Sequence, residues 1–160
     1  MKKLTIFLIV LLFSSFSFQE KKIPSYTITT LDGEEKDLKN VLNQNGYSII
    51  VFWKAWSSPD KLELDAINSK YEEWKAETEI KVIAIAISDA RRLANAKRVI
   101  ASKNWQFDIY TDISNEAKSV FNLKNTPHTM IVNKEGEIVK QWTGYIFEDE
   151  ENYIDFLRNN

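Results

Sequence analysis

Hydrophobic and polar positions alternate between two periods along the chain, and the switches between them predict the elements. Tyr47–Trp53 (YSIIVFW) and Ile80–Ile87 (IKVIAIAI) are nearly continuous apolar runs rich in β-branched residues, the pattern of strands covered on both faces. Between them, Pro59–Lys75 places Leu64, Ile67, Tyr71 and Trp74 at offsets 0, 3, 7 and 10, one face of a helix. Arg91–Ser102 is a second helix with Leu93, Ala96 and Ile100 inward. Tyr26–Thr29 and Phe107–Tyr110 read as short strands, Asp37–Leu42 as a short helical patch and Asn115–Phe121 as a helix. Thr129–Asn133 and Glu137–Trp142 form two strands around the turn Lys134-Glu135-Gly136, and Glu148–Leu157 closes the chain as a helix. Strands alternating with helices, then a hairpin and a helix, predict an α/β sandwich on a central mixed β-sheet.

The first 19 residues follow a different pattern. Lys2 and Lys3 precede the apolar run Leu4–Phe13, and Ser15 and Ser17 then stand at the spacing a signal peptidase reads. This is the pattern of a secretory signal peptide, and the roughly fifteen apolar residues fall short of the about twenty that span a bilayer. The expected organisation is a signal over residues 1–19 and one domain over 20–160, exported to the periplasm or secreted, with no membrane attachment after cleavage.

Composition removes whole classes of chemistry. The 160 residues include no cysteine, one histidine and four glycines. A disulfide framework, a thiol nucleophile, an iron-sulfur cluster and cysteine lipidation all need sulfur that is absent. One imidazole excludes a two-histidine metalloprotease helix, and Gly33, Gly46, Gly136 and Gly144 are too scattered for a phosphate-cradling loop. Net charge is -2, or -4 once Lys2 and Lys3 are removed, with no basic stripe along the sequence to suggest nucleic acid.

The informative stretch is Val51-Phe52-Trp53-Lys54-Ala55-Trp56-Ser57-Ser58-Pro59-Asp60, at the junction of a buried strand and a helix. It resembles the active-site segment of the thioredoxin-like superfamily, most closely the exported TlpA-type thiol-disulfide reductases, with the pattern Phe-Trp-Ala-Thr-Trp-Cys-x-Pro-Cys. Phe52, Trp53, Trp56 and Pro59 match, while Ser57 and Asp60 occupy the two cysteine positions. Glu63 matches the glutamate of the family's extension, and Asp65 stands where its proline would be. A second block, Asn125-Thr126-Pro127-His128-Thr129, is similar to the family's Val-Pro-Thr segment, which makes Pro127 the counterpart of its cis-proline. The resemblance implies a thioredoxin-like fold with a short N-terminal strand extension and no cofactor.

It does not bring the chemistry. Thiol-disulfide exchange needs a thiolate attacker and a second sulfur to resolve the mixed disulfide, and neither Ser57 nor Asp60 supplies one. Val51 stands where thioredoxins proper carry a buried acid. Ser58 before Pro59 reads as an N-cap followed by proline at the first helical position, with Asp60 as a first-turn acid. A hydrolase-like pair of Ser57 with His128 is disfavoured because no glycine-rich oxyanion turn flanks Ser57. A metal site from Asp60, Glu63 and His128 ranks below a capping acid and a solvated one, so no metal is expected. The acidic run Glu148-Asp149-Glu150-Glu151 complements the dipole of the last helix rather than forming a calcium loop. Lys54 replaces a small residue of the family and either snorkels beside the helix start or pairs with Asp60 or Glu63.

Two functions follow as expectations. In the first, Trp56, Thr126 and Pro127 form a groove that binds a polypeptide or exported protein without redox chemistry, Thr126 pairing with an extended segment through its backbone. In the second, a thiol-disulfide oxidoreductase relative works only with a partner's thiols. A purely assembling accessory subunit is a third possibility.

Overall fold

A computed structural model of the chain describes residues 21–160, and the expected signal segment lies outside them. Seven strands form one mixed sheet: β1 (Thr27–Thr29), β2 (Glu35–Asp37), β3 (Ser48–Trp53), β4 (Lys81–Ile87), β5 (Asp108–Asp112), β6 (His128–Val132) and β7 (Ile138–Thr143), in the order β2-β1-β5-β4-β3-β6-β7. The two apolar runs become the central strands. β3 pairs parallel with β4, and β4 parallel with β5, while β6 runs antiparallel to β3 and β7 antiparallel to β6.

Four helices flank the sheet: α1 (Ser58–Thr78), α2 (Leu93–Lys103), α3 (Ala117–Val120) and α4 (Asp149–Arg158), with a short 3-10 turn over Leu38–Val41. Alternation along β3 splits its side chains between two cores. Ile49, Val51 and Trp53 pack with Leu64, Ile67 and Trp74 of α1 and with Tyr153 and Ile154 of α4. Ile50 and Phe52 pack on the other face with Tyr26, Leu38, Phe121 and Leu123. Both strands are buried on both faces because helices cover both sides, which is why they carry so few polar residues.

The structure departs from the sequence reading in two elements. β2 is an added edge strand of Glu35, Lys36 and Asp37, paired with β1. Its three polar residues show no apolar alternation, and edge strands carry charge because unpaired backbone there invites aggregation. The predicted helix over 115–121 shrinks to a single turn, flanked by Asn115 and Asn122, both at positive φ.

Candidate functional site

β3 ends at Trp53, and the chain turns through Lys54–Ser57 into α1. Ser57, not Ser58, is the residue that precedes the helix, with Pro59 inside the first turn. The Ser57 hydroxyl does not cap a backbone N–H but donates to Asp60 Oδ1. Asp60 Oδ2 accepts the Lys54 N–H at 2.7 Å, so one buried carboxylate ties both ends of the turn together. A carboxylate in the first turn also meets the positive end of the helix dipole. The two positions that the resemblance assigns to cysteines are thus hydrogen-bonded to each other as alcohol and acid.

Glu63 corrects the sequence reading, which placed it in solvent. It is fully buried, and its Oε1 accepts the hydroxyls of Thr129 at 2.5 Å and Tyr153 at 2.7 Å, while Oε2 has no partner among the described residues. Burial pushes its carboxyl up to about 7; the two hydroxyls oppose that rise and the charge of Asp60 adds to it. Thr129 lies opposite Val51 in the sheet register. The core beside Val51 therefore does contain a buried acid, delivered by α1 rather than by β3. The sequence held a signal for this: Asp60 and Glu63 continue toward the N-terminus the same face that Ile67, Tyr71 and Trp74 bury. Asp65 has an explanation as well, since its Oδ1 accepts the Trp105 Nε1–H at 2.9 Å and its Oδ2 pairs with Lys103 at 2.5 Å, binding α1 to the end of α2 and the segment after it.

His128 stands opposite Phe52 in the register, on the face away from α1. Its Nδ1 shares a hydrogen with the Thr143 hydroxyl at 2.9 Å, and burial holds the imidazole below the ordinary histidine value. Ser57 lies on the α1 side, so the Ser57–His128 pair is not assembled, and Asp60, Glu63 and His128 do not converge on a common point. Among the described residues no cluster of three histidine or acidic side chains could hold a metal. In the acidic run, Asp149 accepts the Ile146 N–H, Glu150 accepts the Tyr145 hydroxyl and Glu151 pairs with Lys70.

The Thr126–Pro127 peptide is cis and lies next to β6. Pro127 is buried, Thr126 half-buried, and Trp56 46 % exposed. Trp56 and Thr126 face one cleft of about 220 Å3, whose wall also includes Lys54, Arg92, Lys118 and Lys124. Pro127 is buried and does not line the cleft; the Gly144 N–H donates to its carbonyl at 2.8 Å. Ser57 and Asp60 do not line the cleft either. Lys54, expected to snorkel or to pair with Asp60 or Glu63, lines the cleft and has no carboxylate within 4 Å among the described residues.

Sheet order, cis-proline loop and helix start together define a thioredoxin-like α/β protein. The chain belongs to the AhpC/TSA family, whose sequence profile matches residues 20–141. Among its relatives is the thiol-disulfide oxidoreductase ResA of Bacillus cereus, 23 % identical over 124 residues that cover 78 % of this chain and 69 % of the relative. The solution structure of an uncharacterized thioredoxin-like protein from Porphyromonas gingivalis superposes with a TM-score of 0.76 at 26 % identity, covering 86 % of this chain and 90 % of that one. A thiol-disulfide oxidoreductase from Bacteroides fragilis shares the fold, with a TM-score of 0.71 at 16 % identity, covering 86 % of this chain and 99 % of that one. No helix among the described residues is long and apolar enough to cross a membrane.

Proposed function

We propose that this chain is an exported, redox-inactive member of its family that uses the groove beside its helix start to bind a polypeptide. The observation that carries the reading is the fate of the turn: with no cysteine in 160 residues, Ser57 and Asp60 bond to each other, while Trp56 beside them stays half exposed over an open cleft. A serine hydroxyl is too weak an acid to ionise near neutral pH, and oxygen cannot form the mixed disulfide on which exchange depends. What the groove retains is what binding needs: an aromatic surface and, at Thr126, a backbone N–H and C=O with no partner among the described residues, available to an added strand. Export is supported by the pattern of Lys2, Lys3, the apolar run and Ser15 and Ser17.

A titration with a reduced, alkylated and therefore extended protein tests this directly. Binding should shift the tryptophan emission of the native chain, and the shift should vanish in Trp56→Phe, which leaves the other four tryptophans in place. No affinity, or a shift that survives the substitution, removes the groove from the account.

The name of the Bacillus cereus relative and the buried Glu63 favour a second reading, in which the chain assists a partner's thiols. Insulin reduction by the native chain separates the two.

A further inference from the structure

We propose that the cleft beside Trp56 is selective for acid: its occupant is an extended polypeptide segment carrying aspartate or glutamate side chains. This rests on the groove being a polypeptide-binding surface and adds the charge of what it binds.

Four cations meet at the cleft from four separate parts of the chain. Lys54 follows β3, Arg92 precedes α2, Lys118 lies on α3 and Lys124 stands in the loop before the cis-proline. None of them has a carboxylate within 4 Å among the described residues. The one acid in the lining is Asp89, and its Oδ1 already accepts the backbone N–H groups of Arg91 and Arg92 at 3.1 and 3.0 Å. The wall thus carries a net charge of +3 in a chain whose total is -2. Asp60, Glu63 and Glu116, the other acids near these cations in sequence, do not line the cleft.

The Arg92 guanidinium sits 4.3 Å from the centre of the Trp56 ring. Stacking of this kind holds the arginine at the rim while leaving its N–H fork free for a carboxylate. Thr126, on the same wall, offers backbone pairing to an extended chain, which selects a polypeptide among the possible anions. A cleft walled by one sign of charge raises the local concentration of its complement and discriminates against like charge.

Fluorescence anisotropy with three labelled peptides tests the inference: an extended sequence alternating Glu with Val and Thr, its Gln counterpart and its Lys counterpart. The acidic peptide should bind about tenfold or more tightly than the Gln peptide at low ionic strength, with the advantage shrinking as salt is added, and the Lys peptide should be excluded. Lys118 and Lys124 are exposed, so Lys118→Gln with Lys124→Gln preserves the fold. That double variant should lose most of the preference, its affinity for the Glu peptide falling toward that for the Gln peptide. Equal binding of the Glu and Gln peptides overturns the charge selectivity and leaves the polypeptide groove standing. Failure of all three to bind overturns both.

Discussion

Replacing Ser57 and Asp60 together by cysteine should turn this chain into a disulfide reductase. In the native protein the two side chains already meet through a hydrogen bond, one turn apart at the start of α1, so two sulfurs placed there are within reach of each other. The N-terminus of a helix lowers the pKa of a thiol and stabilises its thiolate. Glu63, with its carboxyl near 7, lies on the same face of the helix and is able to exchange a proton at neutral pH. The new dithiol would reduce a substrate disulfide to two thiols, become an intramolecular disulfide itself, and be returned to the dithiol by dithiothreitol. Loss of Asp60 removes the acceptor of the Lys54 N–H, so some stability is sacrificed. Insulin reduction should run at least about tenfold above the dithiothreitol background in the double variant, whereas the native chain and either single variant stay at background. A double variant that forms its disulfide but does not turn over would show that more than sulfur is missing. Turnover by the native chain would favour assistance to a partner's thiols over simple binding.

Glu63→Gln should stabilise the protein at alkaline pH and leave it nearly unchanged near pH 4. The carboxyl is close to 4.5 in the unfolded chain and about 7 in the fold, raised by burial and by the charges of Asp60 and Asp149 against the hydrogen bonds of Thr129 and Tyr153. A group whose folded value lies above its unfolded one binds more protons in the native state between the two values. Stability of the native chain therefore falls as pH rises from about 4.5 to about 7 and is level beyond, as far as this group contributes. The gap corresponds to on the order of 3 kcal/mol, roughly 10 °C in Tm for a domain of this size. Glutamine keeps an oxygen for the two hydroxyls and cannot ionise, so the variant should lose the slope. Thermal melts across this range measure it. A native chain whose Tm does not respond to Glu63→Gln at any pH would mean that the carboxyl is solvated after all.

What could be read from the sequence divides along physical lines. β3 and β4 announce themselves because strands buried on both faces must be apolar throughout, and α1 because its inward face repeats at Leu64, Ile67, Tyr71 and Trp74. β2 was illegible: three polar residues at an edge carry no period, and only their pairing with β1 makes them a strand. At the site, the Ser57 and Asp60 positions could be named from the motif, but not that the serine would bond to the acid instead of capping the helix. The burial of Glu63 hid behind a residue type that is seldom buried, and Tyr153, which helps satisfy it, lies 90 residues away. The cationic cleft is legible only in three dimensions. Lys54, Arg92, Lys118 and Lys124 are scattered through an acidic sequence and become neighbours because β3, β4, β5 and β6 are adjacent in the sheet.

The reading at stake is that the groove beside Trp56 binds an extended polypeptide in a chain without cysteine. Amide chemical-shift mapping, with an extended acidic peptide added to the isotopically labelled chain, tests it most directly. Perturbations should concentrate at Lys54–Ser57 and Asn125–Thr126, the Trp56 indole among the largest, with the outer edge at β2 unmoved. Shifts gathered on that edge or on the far face around His128, or none at saturating peptide, would contradict it.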